Sequence, residues 1–313
     1  MRQFRAISVV MKLEKLDPNE LINWVQLAKT QTHRGRVCDR IPQLALANPD
    51  WFAVHICCQS GQSYSTGDMA CVFPLMSLIK PFSLLYLLEH FGAEQLLQWV
   101  GVEPSDAPFN SLEQLIADGG RPRNPMINSG AITLADKLPG KTATERTQSF
   151  CQWLNKLAGC HIQLDEVMLT SVRASRSPSN QAIANYLGEK RYITNINSSL
   201  DTYEQICCLS GEVKDLALLG KLLTWEYERI QLQHRQMVNG VMLTCGLYEA
   251  SPLFAVKIGL PMKSGIGGGL LAIVPGEGAI ACYSPTLDSV GNPVAAIALV
   301  EALSRNLGLS IFG

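Results

Sequence analysis

Two residues able to do covalent chemistry stand three apart in FPLMSLIKPFSLLYLLEHF (residues 73–91), namely Ser77 and Lys80. Pro81 has no N–H and is tolerated only in the first turn of a helix, so a helix must begin close to Ser77. The offset of three sets hydroxyl and amine on neighbouring positions of that turn. The positive end of the helix lies there and the apolar run predicts burial; both disfavour the ammonium form of Lys80. A neutral lysine beside a serine hydroxyl makes an activated nucleophile. Ser-x-x-Lys alone arises by chance roughly once in a chain of this length, so the proline and the apolar run are what single out this copy.

A second segment, PMKSGIGGGLLAIVPG (261–276), puts Lys263, Ser264 and Gly265 at the start of an expected strand. It is no phosphate loop, because no helix follows and the order of glycines and lysine is wrong for one. A glycine bulge is the plain reading. The sharper one is an edge strand offering backbone N–H groups to a developing oxyanion. Ser-x-x-Lys early and Lys-Ser/Thr-Gly late is the order found in penicillin-binding proteins and serine β-lactamases, and two matches in sequence say more than either alone.

The elements around these segments follow from local patterns. LDPNEL (16–21) has Asp17 at an N-cap position, Pro18 first in the helix and Glu20 three after Asp17, predicting a helix over 18–29. WFAVHICC (51–58) and SYSTGD (63–68), joined by a glycine turn, read as a hairpin. From about Cys71 to Val241 the spacing is mostly helical, as in ATERTQSFCQWLNKLAG and VKDLALLGKLLTWEYERI. LFAVKIGL (253–260), GLLAIVPG (269–276) and GAIACYSP (278–285) read as strands, and a last helix covers 294–307. Short turns between consecutive strands require antiparallel pairing. The fold class expected is α+β: a central antiparallel sheet from both chain ends (1–68 plus 250–313), flanked by helices, with a mostly helical subdomain (69–249) inserted, all within one domain. A cleft between the two parts is the expected site.

Composition narrows the function. The chain of 313 residues is 47% hydrophobic and 17% charged with a formal net charge of −1, so nothing electrostatic favours nucleic acid or an anionic membrane. Ten cysteines are scattered, two pairs of them adjacent, which is no disulfide framework. The apolar run Ala6 to Met11 is too short for a signal core or a bilayer span. A soluble cytoplasmic protein with free thiols is expected.

GRVCDRIPQLA (35–45), STGD (65–68), FPLMSLIKP (73–81), NPMINSGAI (124–132), CGLYEASPLFAVKIGLPMKSGIGGG (245–269) and CYSPTLDSVGN (282–292) together resemble the serine-dependent glutaminases, a family of β-lactamase-like fold. The resemblance runs in order from about Gly35 to the C-terminus. It implies deamidation of a small-molecule amide, glutamine to glutamate, without metal or other cofactor, by a homodimer or homotetramer. It assigns Ser77 as nucleophile and Lys80 as its proton acceptor. Tyr248 assists proton transfer, and the Ile266 N–H joins that of Ser77 in the oxyanion hole. Asn128, Asn180, Tyr203, Lys263 and Ser264 fall among its substrate-site positions, Asn180 after a one-residue insertion.

Two positions depart from the family pattern. Arg40 stands where a substrate-site tyrosine is usual, and Val172 where a glutamate faces the α-ammonium of the substrate. Together they are expected to move the pocket by about two charge units toward positive, unfavourable for a free amino acid's ammonium. This opens two alternatives: a serine amidase or acyltransferase acting on a carboxamide without a free α-amino group, or a non-catalytic homologue. Retention of Ser77, Lys80 and Tyr248 argues against the last, since binding alone needs no nucleophile.

Overall fold

The computed structural model describes residues 11–226 and 229–313. Most of the N-terminal apolar run Ala6 to Met11 lies outside the described residues. Five strands form the central sheet: β1 (Ala53–Cys58), β2 (Ser63–Gly67), β3 (Met262–Ser264), β4 (Gly269–Val274) and β5 (Gly278–Tyr283), all antiparallel, in the order β2-β1-β5-β4-β3. Strands from both ends of the chain thus share one sheet, as the short turns require.

Alternation along each strand sends side chains to two separate cores. Val54, Ile56, Leu270, Ala272, Ile280 and Cys282 pack in one cluster with helices α1 (Pro18–Lys29) and α6 (Val294–Leu307). Ala53, Cys57, Leu271, Ile273 and Ala281 pack on the other face in a larger cluster shared with the helical segment, including α5 (Val213–Lys221). Both faces are therefore covered, which explains why β1, β4 and β5 are buried throughout. The helices that matter for the site are α2 (Lys80–Trp99), α3 (Asn128–Lys137) and α4 (Ile196–Cys207), and α3 packs against both others. Among the described residues no helix is long and apolar enough to cross a membrane.

The helix at Pro18–Lys29 begins where the capping signals put it, with the Asp17 carboxylate accepting from the Asn19 N–H at 2.7 Å. Two sequence expectations are corrected. Residues 253–260 do not form a strand: Ser251–Lys257 is helical. Pro252 sits in its first turn, and the Ser251 hydroxyl accepts from Leu247 N–H at 2.9 Å while donating to Tyr248 O at 2.7 Å. Seven residues give too short a window to separate a helical from an alternating pattern, and Val256, 87% exposed, carried the false strand signal. Lys263 and Ser264 also do not open a strand. They end the short edge strand β3, and Gly265–Gly268 turn the chain into β4.

That turn lies against the segment bearing Ser77. A Cβ on Gly265 would stand 2.8 Å from Leu75 O, and one on Gly267 2.7 Å from Pro74 O. Backbone meets backbone there, leaving no room for a side chain. Gly265→Ala is expected to destabilise the fold by about 1–3 kcal/mol through overpacking. Displacing the Ser77 turn should also cut kcat by about 10²-fold. Thermal melting and ammonia-release kinetics check the two effects separately.

Candidate active site

Ser77 lies in a single 3₁₀ turn, Met76–Ile79, that runs directly into α2, with Pro81 in the first turn of that helix. Met76 has φ of +48°, a left-handed conformation that costs a non-glycine residue energy and persists only when packing over-determines it. The strain sits immediately before the serine hydroxyl, which lines a cavity of about 140 Å³ together with Asn128, Tyr203 and Ile266. Ser77 is 8% exposed.

Lys80 is 1% exposed, and its Nζ donates to Met126 O and to Asn128 Oδ1, both at 2.9 Å. Burial lowers its pKa from the ordinary value to about 8. Asn128, the first residue of α3, is the hub of the polar network. Its Oδ1 also accepts from Tyr203 Oη at 3.2 Å, and its Nδ2 donates to Asn180 Oδ1 at 2.8 Å. Four residues from four separate chain segments are tied together through one amide.

Tyr248 packs on Phe109, with ring centroids 4.8 Å apart, and has a positive φ of +58° like Met76. Its Oη is buried without a hydrogen-bond partner. Burial raises its pKa to about 12, while the Ser77 and Ser264 hydroxyls, close by but outside hydrogen-bond geometry, and the Arg40 charge pull the other way. At neutral pH it is a phenol able to donate, and no base.

Lys263 and Ser264 do not line the cavity, contrary to the substrate-site expectation. Both are fully buried. Lys263 Nζ lies 4.5 Å from the centroid of the Tyr248 ring and donates to Gly246 O at 2.9 Å and Ser264 O at 2.6 Å. Burial, then the Lys80 charge, hold its pKa well below the usual lysine range. Ser264 donates to Asn292 Oδ1 at 2.6 Å. The pair therefore supports Tyr248 from behind. The turn after it closes through Gly265 N–H to Gly269 O and Gly268 N–H to Gly265 O, and the Ile266 N–H takes no part in those bonds.

Arg40 and Val172 both line the cavity, and the structure adds an acid to the charge expected there. Glu204, which sequence reasoning passed over, lines the same cavity. Its side chain is 5% exposed and is gripped by Arg176, Nε to Oε1 at 2.7 Å and Nη2 to Oε2 at 2.6 Å. A signal for it existed. Leu200, Tyr203, Glu204 and Cys207 occupy positions i, i+3, i+4 and i+7 of one buried helical face, and a glutamate on such a stripe is out of place unless it has a partner or a task.

Comparison with known proteins agrees with this geometry. The sequence model of the family described as Glutaminase matches residues 35–312. A glutaminase of Synechocystis sp. is 45% identical over 284 residues, covering 90% of this chain and 87% of its own length. The solved structure of a probable glutaminase superimposes with a TM-score of 0.88 at 33% identity, covering 95% of this chain and 99% of the other. A probable glutaminase from Bacillus subtilis, complexed with 6-diazo-5-oxo-L-norleucine, gives a TM-score of 0.87 at 27% identity, with 95% and 97% covered. With the motifs in order along nearly the whole chain and the fold reproduced, this chain belongs to the glutaminase family.

Proposed function

We propose that the protein hydrolyses the side-chain carboxamide of L-glutamine to L-glutamate and ammonia through an ester on Ser77. The observation carrying this reading is the hydrogen bonding of Lys80. A neutral amine has two N–H bonds and one lone pair. Two acceptors, Met126 O and Asn128 Oδ1, are in place for the two N–H bonds, which frees the lone pair to act as a base, and this reading gives it the proton of Ser77 three residues earlier.

In the first step Lys80 Nζ takes the Ser77 proton as Oγ attacks the carboxamide carbon. The oxyanion is held by the N–H groups of Ser77 and Ile266, a kind of contact whose loss costs about 10²–10³-fold in rate. The C–N bond breaks as a proton passes to nitrogen, with the Tyr248 phenol next to Ser77 as relay, and ammonia leaves. Water then adds to the ester, Lys80 takes its proton, and glutamate is released with Ser77 restored. Asn128, Tyr203 and Asn180 hold the substrate along the cavity wall, and Lys263 and Ser264 keep Tyr248 in position. The same reading makes the protein a cytoplasmic homodimer or homotetramer, which the ten free cysteines suit as regards compartment; light scattering on the purified protein measures the assembly.

Ammonia release across a small panel of amides, with intact-mass detection of a γ-glutamyl adduct, tests the reaction. Release from glutamine is the expected result. A protein inert toward glutamine but acylated at Ser77 by an amide lacking the α-amino group would replace this reading with the alternative amidase.

The pH dependence follows from Lys80. The base form is the neutral amine, so kcat/KM should rise tenfold per pH unit on the acid side and level off above about 8. A profile already flat at pH 6.5 would remove Lys80 from the role of base.

A further inference from the structure

Among the described residues, one acid and one cation line the Ser77 cavity, Glu204 and Arg40. We propose that Glu204 receives the α-ammonium of the substrate and so restricts this enzyme to amides that carry a free α-amino group. The inference rests on the reading of the Ser77 cavity as a site that cleaves an amino-acid amide. It names a residue on α4, not the Val172 position, as the selector.

Three features carry it. Glu204 follows Tyr203 on α4, and the Tyr203 hydroxyl reaches the same Asn128 oxygen that holds Lys80, so the carboxylate sits on the wall that also carries the reacting groups. Its side chain is 5% exposed while that of Arg176 is 38% exposed, and Arg176 does not line the cavity. The guanidinium therefore grips the carboxylate from the solvent side. A two-point fork uses one acceptor site on each oxygen, and an ionised carboxylate has about four, so acceptor capacity remains for a cation in the cavity.

The fork also fixes the side chain before substrate arrives, which reduces the ordering that binding must supply. Arg40, with its guanidinium 5.8 Å from the centroid of the Phe109 ring, supplies the complementary charge for an α-carboxylate. An acid and a cation in one small cavity match a zwitterionic head group. A deaminated or N-acylated amide offers no cation to that remaining acceptor capacity, and only Arg176 then pairs the carboxylate.

The test uses Ser77→Ala protein, which binds without turnover, titrated calorimetrically with L-glutamine, with 4-carbamoylbutanoate (the same amide without the amino group) and with N-acetyl-L-glutamine. L-Glutamine is expected to bind at least about tenfold more tightly than either analogue, as a hydrogen-bonded charge warrants. Adding Glu204→Gln should erase that preference by weakening L-glutamine without weakening 4-carbamoylbutanoate, a pattern that damage to the fold would not give. Glu204→Asp should recover part of it. A preference that survives Glu204→Gln, or is absent from the Ser77→Ala parent, overturns the proposal. Ammonia release by the wild-type protein is scored separately. If glutamine is bound selectively through Glu204 yet never hydrolysed, the reaction reading fails and the Glu204 assignment stands.

Discussion

Replacing Ser77 by alanine is expected to lower ammonia release from glutamine by at least about 10⁴-fold, the scale seen when a nucleophile that works as a unit with its base is removed. The change deletes one hydroxyl from an 8% exposed position and fills nothing, so the melting temperature should move little. Binding should persist, because Asn128, Tyr203 and Glu204 are untouched. The residual rate is equally informative. Pairing Ser77→Ala with Lys80→Met should cost no more than Ser77→Ala alone, since with no hydroxyl to deprotonate the amine has nothing left to do. Steady-state kinetics of the two single variants and the double variant check this. Additive losses would mean that Lys80 acts on the substrate by a route that does not pass through Ser77.

Much of the site could be read from the chain because the motifs are local. Pro81 located the start of α2 and with it the turn that holds Ser77, and an apolar run predicted the burial that lowers the Lys80 pKa. The glycines after Ser264 read as a bulge or an open edge, and their close approach to the carbonyls of Pro74 and Leu75 became visible only in three dimensions. The strands at both chain ends were legible from short apolar runs joined by glycine-bearing turns, while the helix Ser251–Lys257 was not, because its exposed Val256 and short length imitate a strand.

The charge of the pocket was the part that sequence could not give. Subtracting a glutamate at Val172 and adding a cation at Arg40 treats positions as independent, yet a cavity wall is assembled from segments far apart in sequence. Arg176 and Glu204 are 28 residues apart and meet only through the packing of the loop before Pro178–Glu189 against α4. A carboxylate lost from one segment can therefore be supplied by another with no trace in a motif. The buried face of α4 did contain the hint, in a glutamate between Tyr203 and Cys207.

The chemistry of the site turns most sharply on Lys80. Lys80→Met nearly preserves volume and removes the amine, and it should reduce kcat by about 10³–10⁴-fold, at the upper range for a positioned general base. The variant leaves Met126 O without its buried donor, while Asn128 Oδ1 still receives the Tyr203 hydroxyl, so a loss of about 1–3 kcal/mol in stability accompanies it. Lys80→Arg separates charge from basicity. A guanidinium keeps its proton at any pH the protein survives, so it can fill part of the space and still not accept the Ser77 proton. It should be as slow as Lys80→Met. A mere requirement for positive charge beneath Ser77 predicts the opposite, with Lys80→Arg partly active. The pH profile of the residual rate decides between them: in both variants the acid limb near pH 8 should vanish, because the group that lost its proton there is gone. Persistence of that limb would assign it to another group, and Lys263, buried behind Tyr248 with its own pKa held low, is the one to replace next.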